Sequence, residues 1–187
     1  MRNKIVGTIG FFSLLVAGQA SAIGLGYGVR LGVGPGFGDK ALSDVNINTF
    51  SVGGALKFDL ALLGIEANLL YTQVTSDFSG TDAVSTDLDL PVIAQVGFPL
   101  IPVLLDLKLG VGLQPRFHLG ATFDGKDVEN DQTEDMVMYL PIQVGASLGL
   151  GVASVGLDIR YLYQLTDAVK DDDTRVNHLL FMAGVFF

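Results

Sequence analysis

The chain has no cysteine, only two histidines, and only 11 lysines and arginines among its 187 residues. Without cysteine there is no disulfide framework and no thiolate chemistry. Two histidines leave little material for a zinc site. The formal net charge of −9 argues against nucleic acid, whose phosphates need Lys and Arg. Long hydrophobic runs are missing too. After the N-terminus no stretch reaches the ~18 consecutive apolar residues of a membrane-crossing helix. Yet 49% of the residues are hydrophobic. Lipid tolerates only structures that pair all their backbone groups, so a closed β-barrel is the remaining way to cross a bilayer.

The first 22 residues, MRNKIVGTIGFFSLLVAGQASA, read as a targeting segment. Arg2 and Lys4 precede an apolar run from Ile5 to Ala17, and Ala20-Ser21-Ala22 supplies an A-x-A cleavage site. The reading is a cleaved signal peptide over 1–22, Sec-type export in a Gram-negative bacterium, and a single domain over 23–187.

The rest of the chain alternates. From Val103 to Ala121 every odd position is apolar, while the even positions include Asp106, Lys108, Gln114, Arg116 and His118. Successive side chains of a strand point to opposite faces, so this is one long strand with an apolar and a polar side. Seven more segments repeat the pattern: Ile23–Pro35, Thr49–Leu60, Ile65–Thr72, Asp87–Phe98, Met136–Leu148, Ala153–Leu165 and Arg175–Phe187. Polar stretches at 36–48, 75–86, 122–134 and 166–174 alternate with short apolar turns at 61–64, 99–102 and 149–152. An even strand count with long loops at one end and tight turns at the other is the signature of an all-β, eight-stranded antiparallel up-and-down transmembrane β-barrel. Eight strands enclose a space that side chains can just fill. Gly64–Tyr71 also echoes Gly156–Tyr163, through either hairpin duplication or shared barrel constraints.

Charge placement supports the two faces. Of the 20 acidic residues, all but Asp59, Glu66, Asp89, Asp106 and Asp158 lie in the long loops or at their edges. Those five sit on polar strand faces, as do Arg30, Lys57, Lys108, Arg116 and Arg160. These ten residues are the predicted site, a charge-balanced network in the lumen, because unpaired ions away from water are very costly. A narrow pore is the alternative use of the same residues. Phe58, Phe98 and Phe187 at the turn end, and Phe50, Tyr71, Phe117, Tyr161 and Tyr163 at the loop end, fit two interfacial belts. Pro91, Pro115 and Pro141 fall inside strands, where they cannot donate to the ladder.

Two further groups carry chemistry of less specific kind. The acidic loops lack the order of a calcium-binding loop. Asp124, Asp127, Glu129, Asp131 and Asp171–Asp173 are expected to form a solvated surface, or to share divalent cations with lipopolysaccharide phosphates. His118 and His178 lie near the loop rim with no serine close in sequence, so no nucleophile–base–orienter set is visible.

The C-terminal pattern Leu179-x-Phe181-x-Ala183-x-Val185-x-Phe187 resembles the assembly signal of bacterial outer-membrane proteins. With eight strands, the chain resembles the small OmpA/OmpX-like barrels. That resemblance implies insertion by the barrel-assembly machinery and contact with outer-membrane lipids. The expected function is a non-enzymatic integral outer-membrane barrel with a structural or surface-interaction role and no cofactor. The alternatives are a narrow channel or transporter and a lipid A-modifying enzyme, the last requiring His118 or His178 beside a Ser or Asp. A soluble calycin-like barrel would instead turn Leu105, Leu107 and Leu109 inward.

Overall fold

A computed structural model describes residues 23–38, 45–78, 81–102, 104–128, 135–167 and 175–187. The signal-peptide segment lies outside these residues, as do Glu129, Asp131 and Asp171–Asp173. Ten strands form one antiparallel sheet: β1 Ile23–Gly38, β2 Asn46–Leu60, β3 Leu63–Phe78, β4 Thr81–Asp89, β5 Val92–Ile101, β6 Leu105–Phe123, β7 Lys126–Val128, β8 Met136–Gly149, β9 Ser154–Gln164 and β10 Val176–Phe186. Sequential neighbours pair around the ring, and β10 returns to β1, closing the barrel. β4 and β5 together make one of the eight wall strands. They are separated at Leu90–Pro91, and Pro91 contributes its carbonyl to Asn68 N at 2.9 Å. β7 is an appendage folded back on the end of β6.

Alternation decides which face is which. Leu25, Val29 and Leu157 are 76%, 61% and 62% exposed, whereas Arg30, Glu66 and Arg160 are at most 1% exposed. Leu109 is exposed and Leu105 and Leu107 are half-exposed, so the leucines point outward and the soluble-barrel arrangement is ruled out. Among the described residues no charged side chain shares the outward face of the wall between the loop-end and turn-end aromatics. The interior mixes ions and amides with an apolar cluster of Leu70, Val137, Tyr139, Leu162, Leu180 and Met182. Room for the largest of these side chains comes from β1, whose inward positions are glycine except at Arg30. A Cβ at Gly28 would meet Phe186, and one at Gly32 would meet Met182.

Several boundaries differ from expectation. The polar stretch 75–86 is not a loop: β3 and β4 stay paired from Leu70–Asp89 out to Phe78–Thr81. Beyond the bilayer both faces of a strand meet water, so a polar run with three threonines and a valine can hold a ladder. Residues 122–134 likewise begin with a hairpin, Phe123 pairing with Lys126 across Asp124-Gly125. Both turn residues have positive φ, 51° and 71°, the geometry that Asp-Gly favours. The long strand starts at Leu105 rather than Val103, Leu104 being in a turn and Val103 outside the described residues. The last starts at Val176 rather than Arg175. A register shift opposite Thr86/Asp87 leaves Leu119 as an extra residue, so the parity of β6 reverses above it.

Candidate functional site: the lumen

The inward side chains form three groups stacked along the barrel. The middle group centres on Glu66, which is fully buried on β3. Arg30 donates to it at 2.8 Å, Arg160 at 3.4 Å, and Lys57 lies 3.5 Å away. Asn68 and Gln95 each add a hydrogen bond of 3.1 Å. Arg30 also bonds Asp158, which accepts from Gln143 at 3.2 Å. Arg160 grips Gln143 Oε1 through Nε at 3.0 Å and Nη2 at 2.7 Å. The Lys57 ammonium rests 3.4 Å above the Phe186 ring, an additional cation–π contact. Lys57 and Glu66 are ladder partners, but Arg30 and Arg160 reach Glu66 from β1 and β9. The node therefore ties separate walls together across the lumen.

The second group lies toward the long loops. Arg116 holds Asp89 with two bonds, Nε to Oδ1 at 2.7 Å and Nη2 to Oδ2 at 2.9 Å. Such forked pairing is the strong form of a charge-assisted bond. Thr72 and Gln114 also donate to Asp89, each at 2.9 Å. The guanidinium stacks 4.8 Å from the Tyr139 ring and donates to His178 Nε2 at 3.3 Å. His178 Nδ1 meets Thr49 Oγ1 at 2.9 Å. Above this node, Asp87 accepts from Ser85 and from His118 Nδ1, both at 3.0 Å, and Ser85 Oγ is 3.2 Å from the same nitrogen. Ser85 and Asp87 share the inward parity of β4, and His118 is the ladder partner of Asp87.

The third group is at the short-turn mouth. Asp59, Asp106 and Lys108 line two cavities of about 240 and 310 Å³, and Lys57 borders the larger. Among the described residues none of these three makes an ion pair within 4.0 Å. Their ladder neighbours explain it: Asp59 faces Gly24 and Gly64, and Lys108 faces Gly97 and Gly145. So seven of the ten sequence-derived residues fall into the two ion-pair nodes, and three do not. The neutral partners, Asn68, Thr72, Gln95, Gln114 and Gln143, were not singled out from sequence. Their inward parity was the available signal.

The Ser85–Asp87–His118 set meets the distance condition for a hydrolytic centre but not its order. A relay needs the hydroxyl on one imidazole nitrogen and the carboxylate on the other. Here both oxygens meet Nδ1. Among the described residues there is no group of three or more metal-ligating side chains. At the loop rim Arg175 bonds Asp167 at 3.4 Å, which raises the arginine's pKa, but both side chains are about two-fifths exposed and water screens the pair. Asp124 is exposed on its turn.

No family model matches the chain, and no curated protein matches its sequence. Solved structures do match in fold. Neisserial surface protein A (NspA) superposes with a TM-score of 0.61 at 18% identity, over 87% of this chain and 97% of that one. The outer membrane enzyme PagL superposes with a TM-score of 0.50 at 12% identity, over 83% and 97%. The closed ring, the apolar exterior and these likenesses agree: the chain has the fold of the small eight-stranded outer-membrane β-barrels.

Proposed function

We propose that the chain is an integral barrel of the bacterial outer membrane whose lumen is closed by its own side chains, acting as a membrane wall and a surface for contacts through its loops. The observation that carries this reading is Glu66. One carboxylate, fully buried at mid-lumen, is held by cations from β1, β2 and β9. Two buried ion-pair nodes in series occupy the lumen, and breaking a buried pair to admit a solute is strongly unfavourable. An enzymatic role is disfavoured by the order of contacts at His118. The partners this reading implies are outer-membrane lipids, the assembly machinery during insertion, and lipopolysaccharide bridged by divalent cations at the acidic loops. The test is electrical. Purified protein reconstituted into planar bilayers gives no steady unitary conductance. Reproducible channels from wild-type protein would overturn the closed-wall reading in favour of a narrow channel.

A further inference from the structure

The three short turns carry no charge and a dense set of exposed aliphatics. Leu60, Leu63, Leu100, Ile101, Leu104 and Leu150 are 45–60% exposed, and Val152 is 92% exposed. The charges at this end, Asp59, Asp106 and Lys108, all turn into the lumen cavities. Above the turns, on the outer wall of β2, β3, β5 and β6, runs an apolar groove of about 630 Å³. Phe58, Leu63, Ile65, Val96 and Leu109 form its sides, and Ala94, the smallest outward side chain in its lining, keeps it deep.

Resting on the membrane-wall reading above, we propose that this end is a lipid-docking surface: an acyl chain of the inner leaflet lies in the groove, and the turns sit within that leaflet instead of in the periplasm. Strand length argues for it. The outward residues above Phe50 are Asn48 and Asn46, and above Tyr71 is Gln73, so the apolar wall of β2 and β3 ends there. From Phe50 to Phe58 a strand tilted by about 40° climbs only about 20 Å. From Tyr71 to Ile65 it climbs about 15 Å. A barrel's apolar band is about 25 Å tall. Only by including Leu60 and Leu63, and the turn that joins them, does this part of the wall approach that height. The occupant must be apolar and continuous with what covers the rest of the wall, and the leaflet is both.

The chain contains no tryptophan, so single substitutions report depth directly. Val152→Trp and Leu63→Trp are reconstituted in vesicles of ordinary and of brominated phosphatidylcholine, with iodide as the aqueous quencher. Leu109→Trp serves as the mid-wall reference and Lys126→Trp as the loop-end reference. The proposal expects bromine on the acyl chains to cut emission roughly twofold or more at positions 63 and 152, with iodide nearly without effect, since interfacial burial is of the order of 5–10 Å. If iodide quenches 63 and 152 as it does 126 while bromine still quenches 109, the turns stand in water, free for a periplasmic partner, and the proposal is overturned alone. If bromine fails at 109, the membrane-wall reading itself has failed.

Discussion

Replacing Glu66 by Gln keeps the side-chain volume and removes one charge. At an effective dielectric of about 20, a carboxylate 2.8 Å from Arg30 gains roughly 6 kcal/mol, and contacts of 3.4 and 3.5 Å with Arg160 and Lys57 gain about 5 kcal/mol each. Those gross terms are opposed by the several kcal/mol each ion loses on leaving water, which glutamine escapes. Among the described residues, what remains after substitution is three cations with Asp158 as the one carboxylate in contact, held by Arg30. Removing one partner of a buried ion pair costs about 3–5 kcal/mol, and we expect Glu66→Gln to fall in that range. The measurement is the free energy of reversible urea unfolding from lipid vesicles. Two comparisons make it specific. Adding Lys57→Met removes one of the stranded cations and should recover a large part of the loss, because the two sites are directly coupled. Asp106→Asn makes the same chemical change at a mouth carboxylate with no ion-pair partner, and should stay within about 0.5 kcal/mol of wild type. A Glu66→Gln loss below about 1 kcal/mol, or one no larger than that of Asp106→Asn, would refute the idea that this node holds the walls together.

Three other outcomes are expected. Val111→Lys puts a charge at mid-wall on the lipid face and should cost about 2–4 kcal/mol in the same unfolding measurement. Gly145→Val should cost about 1–3 kcal/mol, because a Cβ at 145 collides with the Asp158 carboxylate and must displace it from Arg30. Ala61, the first turn residue between β2 and β3, has φ of 54°; Ala61→Gly relieves a conformation unfavourable to a Cβ and should stabilise the hairpin by up to about 1 kcal/mol.

Parity was the legible part of this sequence. Because a strand alternates strictly, a charge-free face recurring in eight segments identifies both the wall and the lumen without any tertiary information. Height is not written in parity. Strand tilt and stagger decide which inward residues meet across the lumen, and so Arg30 meets Glu66 and Asp158 while Asp106 faces Pro99 and Ser147. The same limit applies to the loop end. Where the wall leaves the bilayer, hydrophobic contrast vanishes, and a paired polar strand such as Thr81–Asp89 looks like a loop. The Asp124-Gly125 turn was a readable hairpin signal that the surrounding acidic composition obscured. The bulge at Leu119 left no sequence mark, yet it reverses the parity of β6 above it and puts Ala121 opposite Ser85.

The seam between β1 and β10 has a consequence for the order in which this molecule can form. Tyr27 and Phe187 exchange backbone bonds of 3.1 and 2.8 Å there, and the pairing runs on to Gly38 and Val176. Every other wall contact joins neighbours in sequence, and each hairpin can form as it appears. This one joins opposite ends of the domain, so its loop-closure entropy is recovered last. Until β10 arrives, β1 presents an open edge of unpaired amides and carbonyls beside an apolar face, the arrangement most prone to misassociation. The half-built barrel is thus the vulnerable species, and anything that shields the free edge of β1 would raise the yield of folded protein without adding to its final stability.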